Sequence, residues 1–220
     1  MRREVDMREI SDGNLYTSND MVKADCGNCE GCHACCQNMG QSILLDPYDI
    51  ARLEWGLQMT FEELLVERIE LNMVDGVILP NLKMHPQKNQ CSFLNEEGRC
   101  SIHSFRPGIC RLFPLGRYYE NDGFKYFLQI HECKKENRTK VKVKKWIDTP
   151  NLKQYEAYIS RWHYFLKNAE AYLQENPEEI KELSMYILTQ FYLIPFAETE
   201  DFYVQFEKRI TVAEKKIKKL

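Results

Sequence analysis

The chain has 220 residues and a formal net charge of −3 at pH 7, with 44% hydrophobic and 29% charged residues. This composition is ordinary for a soluble globular protein, and the lack of a basic excess argues against nucleic acid as a partner. No apolar run is long enough for a membrane span, and the basic start lacks the apolar core of a secretory signal. We therefore expect a cytoplasmic protein, whose reducing surroundings favour metal or redox roles for its nine cysteines over disulfides.

Residues 1–25 are polar and carry turn signals. We interpret them as a loosely structured N-terminal lead-in. Isolated apolar residues, among them Ile10, Leu15 and Met21, are expected to attach it to the body of the protein.

Residues 26–36 read CGNCEGCHACC and contain five of the nine cysteines; we call them the N-terminal cysteine cluster. CxxC is a common chelate spacing, and thiolates select zinc, iron–sulfur clusters or copper over magnesium and calcium. Adjacent side chains on an extended chain point in opposite directions, so Cys35 and Cys36 are predicted to serve different centres. Nine sulfurs exceed the four ligands of one zinc. Two four-ligand centres, one cluster plus a separate ion, and one iron–sulfur cluster with spare cysteines all stay open.

Two short helices are predicted after the cluster. Asp46 resembles an N-cap and is followed by Pro47, a residue favoured at the first helical position. Thr60 and Glu63 have the spacing of a capping box, which predicts the start of a second helix.

From residue 71 to residue 130 the pattern changes to short strands and turns. Asp75-Gly76 lies between two apolar runs and is a hairpin signal. A second hairpin is predicted around NEEGR, carrying Cys91 and Cys100, and a third around ENDG. Cys133 follows the last strand.

The rest of the chain is predicted to be a linker and a helical region. Residues 134–145, KKENRTKVKVKK, form a basic segment. We interpret it as a solvated linker or edge strand; the alternative is an anion or nucleic-acid contact, which the lack of interleaved aromatic residues disfavours. Apolar stripes at helical spacing then predict three helices. The predicted fold class is α+β, with a small cysteine-rich core of short hairpins and two short helices. The predicted division is a lead-in over 1–25, a metal-binding domain over 26–135, and a linker with C-terminal helices over 136–220.

The cysteine motifs resemble those of a known family. CxxCxxCC at 29–36 is followed by Cys91-Ser-Phe-Leu, Cys100-Ser-Ile-His103, Arg106-Pro107 and Cys110-Arg111-Leu-Phe113-Pro114. This succession resembles the YkgJ-like CxxCxxCC cysteine-cluster family, described as zinc- or iron-chelating, over roughly residues 26–133. The resemblance implies eight metal ligands, with Cys26 as an extra upstream cysteine: Cys29, Cys32, Cys35, Cys36, Cys91, Cys100, Cys110 and Cys133. Arg106 and Arg111 are expected either to offset thiolate charge or to bind an anionic substrate group.

Three functions follow from these residues. The first is a metal-binding protein holding an iron–sulfur cluster, zinc or both, in a structural or electron-transferring role. The second is a protein-lysine methyltransferase-like enzyme, because the family resembles flagellin N-methylase. However, KKENRTK replaces the glycine-rich loop that often follows the last cysteine in that family, and no cofactor motif or catalytic residue can be identified. The third is a zinc-ribbon-type interaction module. A protein substrate or partner is compatible with all three.

Overall fold

The computed structural model describes residues 6–27 and 32–217. Their fold is mixed α+β with a C-terminal helical segment, which confirms the predicted fold class. The described α-helices are α1 (Met7–Ile10), α2 (Pro47–Leu57), α3 (Phe61–Glu67), α4 (Gly108–Leu112), α5 (Val143–Ile147), α6 (Leu152–Glu175), α7 (Ile180–Leu188) and α8 (Phe202–Ile217). The described strands are β1 (Met21–Asp25), β2 (Ile69–Val74), β3 (Val77–Leu82), β4 (Leu115–Glu120), β5 (Gly123–Leu128) and β6 (Thr139–Lys142). None of the helices described combines the length and the apolar character that crossing a bilayer requires.

The chain divides into two compact units, each built from several segments. Unit 1 comprises Met1–Met39, Met84–His103 and Pro107–Ser160. Unit 2 comprises Gly40–Lys83, Ser104–Arg106 and Arg161–Leu220. The two units therefore interleave along the chain, whereas the sequence predicted consecutive segments with boundaries near residues 25 and 135.

Unit 1 contains two antiparallel strand pairs, β1 with β6 and β4 with β5. Alternation along β1 directs Val22 and Ala24 into the core, where they are 1% and 0% exposed. Leu15 and Met21, which the sequence suggested as attachment points, are instead exposed. Residues 21–25 thus belong to a buried strand and not to a loose lead-in. The core around them consists of Val22, Ala24, Leu112, Leu115, Tyr126, Leu128, Val143 and Ile147.

Two of the predicted hairpins are confirmed in full. Asp75 and Gly76 connect β2 to β3 with φ of 50° and 85°, the left-handed values that a two-residue turn of this kind requires. Asn121 and Asp122 connect β4 to β5 with φ of 48° and 59°. Both residue types tolerate this backbone region better than others do, because their short polar side chains hydrogen-bond locally.

Unit 2 begins with the two predicted helices. The Asp46 carboxylate accepts the Asp49 N–H at 2.9 Å, and the Thr60 hydroxyl accepts the Glu63 N–H at 3.3 Å. Each bond is half of a complete capping box, so both predicted N-caps are confirmed. The Ser184 hydroxyl on α7 accepts the Ile78 N–H of β3 at 3.2 Å. The unit's core is strongly aromatic and includes Phe61, Trp162, Phe165, Phe191, Tyr192, Phe202 and Phe206.

Glu54, near the end of α2, is a carboxylate in an unfavourable environment. Burial raises the pKa of Glu54 to about 7, and the charge of Glu62 adds to the increase. The Phe61 N–H and the charge of Arg209 act in the opposite direction, but burial is the largest effect. The folded protein therefore holds this proton at pH values at which the unfolded chain has lost it.

We expect this carboxylate to reduce the stability of the protein as the pH rises from about 4.5 to about 7. In that window the folded state binds more protons than the unfolded state, so the free energy of unfolding falls with pH and then levels off. Glu54→Gln should flatten the dependence and raise the urea midpoint at pH 8. Urea unfolding at pH 5 and pH 8, followed by circular dichroism, measures this. Glu67→Gln, at an exposed position on α3, is the control and should behave like the wild type; the same pH dependence in Glu54→Gln would contradict the assignment.

Candidate metal centre

The cysteines that the structure describes all lie in unit 1. Cys91 is buried, and the others are half-buried: Cys26, Cys32, Cys35, Cys36, Cys100, Cys110 and Cys133. Cys29, a predicted ligand, is in segment 28–31 and lies outside the described residues. Half-burial suits thiolates that ligate a metal, because it limits access of water to the metal while leaving a route for loading.

The end of the N-terminal cysteine cluster is a single turn of 3-10 helix, Ala34–Cys36. The Cys36 N–H closes it by donating to the His33 carbonyl at 2.9 Å. An extended chain was predicted at Cys35 and Cys36, and the observed turn corrects that prediction. A 3-10 helix has about three residues per turn, so the side chains of Cys35 and Cys36 still diverge, by about 120°. The prediction that they serve different centres keeps its physical basis.

Backbone hydrogen bonds join the N-terminal cysteine cluster to the segment that contains Cys91. The Cys91 N–H donates to the Cys36 carbonyl at 2.8 Å, and the Asn38 N–H donates to the Asn89 carbonyl at 2.8 Å. An antiparallel bridge between Gln37 and Gln90 lies between these contacts. Two cysteines that are distant in sequence are therefore held side by side by the main chain, independently of any metal.

The predicted hairpin carrying Cys91 and Cys100 is only partly formed. In the described structure an isolated bridge between Leu94 and Cys100 replaces regular strands. The turn itself is well defined, because the Asn95 N–H donates to the Arg99 carbonyl at 2.9 Å. Gly98 closes this turn with φ of +71°, and its Cα faces the ring of His33. The turn between the two cysteines is thus packed against the N-terminal cysteine cluster.

Cys110 lies on α4, which the neighbouring Arg111 fixes in place. Arg111 is 5% exposed, and its Nη1 donates to the Asp148 carbonyl at 2.9 Å. The Trp146 indole N–H contacts the carbonyl oxygens of Leu112 and Phe113 at 3.3 and 3.1 Å. These bonds attach α4, and with it Cys110, to α5. Arg106, the other arginine of the motif, falls in unit 2; the charge-offsetting role proposed for both stays a prediction.

Cys133 lies among charged and sulfur-bearing groups. Burial raises the pKa of the Cys133 thiol, and the nearby Cys26 and Cys32 raise it further. The Lys135 backbone N–H, which donates to the sulfur, and the charge of Arg138 lower it. The structure therefore brings Cys26, which the family resemblance left out as an extra cysteine, into the neighbourhood of two predicted ligands.

The described cysteines do not by themselves complete a site. Among residues 6–27 and 32–217, no three His, Cys, Asp or Glu side chains form a group that could hold a metal ion. Cys29 lies outside these residues. The assignment of the eight ligands therefore stays a prediction, supported by the presence of the seven described ones in unit 1.

The residues that are present fit a metal bound by thiolates. The donors are soft sulfur atoms, and the Nε and Nη1 atoms of Arg138, close to Cys133, are buried with no hydrogen-bond partner among the described residues. A buried cation with unused donors is compatible with an additional negative charge, as a metal–thiolate centre would supply. Sequence reasoning missed Arg138 because it is one basic residue within the basic segment, and only its two buried guanidinium nitrogens distinguish it.

Comparison with known protein families matches residues 28–149 to the CxxCxxCC family, which is described as a "putative zinc- or iron-chelating domain". The chain belongs to this family. The matched segment covers more than half of the 220 residues and confirms the resemblance found from the motifs. It supports a metal-binding role with zinc or iron. No curated protein and no solved structure matched the chain.

The family segment includes seven of the described cysteines and also Arg138, whereas Cys26 precedes it. Membership therefore agrees with the predicted ligand set without assigning individual residues. It also leaves the choice between the two metals open.

We expect Gly98→Ala to destabilise unit 1. An alanine would have to adopt a left-handed backbone, which costs about 1–2 kcal/mol, and its Cβ would come within 2.9 Å of His33 Nδ1. Gly13→Ala is the matched control, because Gly13 has φ of +80° but nothing within 4 Å of the added carbon. Denaturant unfolding should show a larger loss for Gly98→Ala than for Gly13→Ala, and His33→Ala should recover the difference. Equal losses for the two glycine variants would argue against the packing described here.

Proposed function

We propose that this chain is a metal-binding protein whose cysteine thiolates hold zinc or an iron–sulfur cluster within unit 1. One observation carries the proposal. The backbone hydrogen bond from Cys91 to Cys36 joins the two cysteine-rich parts of the sequence into one site region. Every described cysteine belongs to the same unit, and thiolates are the donors that these metals prefer.

The contacts of six described cysteines suggest two neighbourhoods within unit 1. Cys36 and Cys91 are joined through the backbone, and Cys100 pairs with Leu94 close by. The charges of Cys26 and Cys32 act on Cys133. Two neighbourhoods, together with the diverging side chains of the vicinal pair, support two centres, or one cluster with a separate ion, over a single four-ligand site.

The role that this arrangement supports best is structural or electron-transferring. Thiolates bound to a metal would cross-link segments that are distant in sequence, so metal binding and folding of unit 1 would be coupled. An iron–sulfur cluster held in the same way could also carry an electron. The methyltransferase-like and zinc-ribbon alternatives stay predictions, since nothing described in unit 1 favours either.

Anaerobic purification followed by metal analysis tests the proposal directly. We expect at least one equivalent of zinc or iron per chain, lost when the protein is unfolded with a chelator. A brown protein whose visible absorbance bleaches in air would indicate an iron–sulfur cluster, whereas a colourless protein with stoichiometric zinc would exclude that form. Protein that binds neither metal, even after reconstitution, would refute the proposed function.

Substitution of single cysteines tests the ligand assignment. Cys32→Ala and Cys110→Ala should each lower the metal content and the thermal midpoint, because each removes a ligand from a site coupled to folding. Ser101→Ala is a suitable control: it removes a hydroxyl that donates to the Phe93 carbonyl at 3.0 Å, next to Cys100, but no sulfur. Full metal content in both cysteine variants would show that the assignment is wrong.

A further inference from the structure

Arg138 is a half-buried cation, and two nitrogens of its guanidinium group make no hydrogen bond to the described residues. Its Nε and Nη1 atoms are both buried and have no partner there. Its backbone N–H is satisfied by the Glu136 carbonyl at 3.1 Å, so the unmet need is confined to the guanidinium group. Buried charged donors are normally paired, because leaving them unpaired forfeits their hydration without replacement. The site therefore calls for a negatively charged acceptor.

The strand pairing of unit 1 places Arg138 next to the start of the N-terminal cysteine cluster. In the β1–β6 pair, Asp25 is opposite Thr139. The strand pair ends at these two residues. Cys26 and Arg138 are the next residues beyond it, one on each segment, so both lie at the same end of the antiparallel pair. Cys133 is five residues before Arg138 on the same segment.

Electrostatics give independent support to this neighbourhood. Burial and the Lys135 N–H both act on the pKa of the Cys133 thiol. Three further groups also shift this pKa: Cys26, Cys32 and Arg138. The arginine is the only one of these three that favours the thiolate. The positive charge of Arg138 is thus near enough to Cys133 to lower the pKa of that thiol.

The geometry of the two unused donors does not suit a single carboxylate bound in a bidentate manner. A carboxylate is usually bound by two parallel N–H groups of the guanidinium fork. Nε and Nη1 do not form such a parallel pair, because Nη1 is on the side of the group facing away from the Nε hydrogen. They are suited to two separate acceptors, such as two thiolate sulfurs of one centre.

We propose that Arg138 is a positioning residue of the metal centre that uses Cys133, donating its buried N–H groups to metal-bound thiolates and offsetting their charge. This inference rests on the proposed function. Hydrogen bonds to ligating sulfurs, and the net charge around them, control how tightly a metal is held and, for iron–sulfur clusters, the reduction potential.

The test compares Arg138→Gln with Arg138→Lys and with Lys140→Gln. Lys140 is an exposed residue of β6, so its substitution removes the same charge from the same segment without affecting a buried donor. The rate of metal loss to excess EDTA is measured on anaerobically purified protein. Arg138→Gln should lose metal about 10–100 times faster than the wild type, as is typical when a partner of a metal ligand is removed. Arg138→Lys should be intermediate, because it keeps the charge but not the guanidinium geometry, and Lys140→Gln should match the wild type.

Two results would overturn the inference while leaving the proposed function intact. One is metal loss from Arg138→Gln at the rate of Lys140→Gln. The other is a thermal midpoint that Arg138→Gln lowers equally with metal bound and with metal removed, since an effect on folding alone would be independent of the metal. A wild-type protein that binds no metal would instead refute both proposals.

Discussion

Unit 1 depends on a backbone pairing between two strands that are more than 100 positions apart, β1 and β6. This pairing buries Val22 and Ala24 among residues of β4, β5 and α5. It also carries the start of the N-terminal cysteine cluster to the segment that contains Cys133. Without it, the cysteines at the two ends of the family segment would be separated by a flexible chain, and bringing them together would cost the entropy of closing a very long loop.

Two further connections hold other cysteine-bearing segments in place within unit 1. The Cys36–Cys91 hydrogen bond holds the cluster against the middle of the sequence, and Arg111 holds the helix of Cys110 against α5. Each uses main-chain atoms or a buried arginine and not a thiol. These contacts therefore hold the cysteine-bearing segments in place and leave the sulfur atoms available to bind a metal. A metal would add cross-links to an arrangement that is already partly determined.

Local signals in the sequence predicted the local structure well. Asp46 and Thr60 marked their helix starts because a capping side chain acts on backbone groups two or three residues away. The Asp75-Gly76 turn was identifiable because few residues accept its backbone angles. Long-range structure could not be read in the same way. The β1–β6 pair has no turn signal, since its strands are not consecutive, and Val22 and Ala24 alternate with polar residues over too short a stretch to stand out. The motifs likewise identified the cysteines as a set. The two buried guanidinium nitrogens that distinguish Arg138 from the lysines around it are a property of the folded chain only.

The interleaving of the two units has a consequence for synthesis on the ribosome. β1 is made before β6, which follows the first segments of unit 2. Four cysteines are also made before β6: Cys91, Cys100, Cys110 and Cys133. At about 5–20 residues per second, the interval between the two strands is roughly 6–25 seconds. Throughout that time β1 has an unpaired edge, and the nascent cluster lacks the segment that contains Cys133. Unit 1 can therefore be completed only after β6 has been made, and a metal delivered before Cys133 has been made would meet an incomplete set of sulfurs.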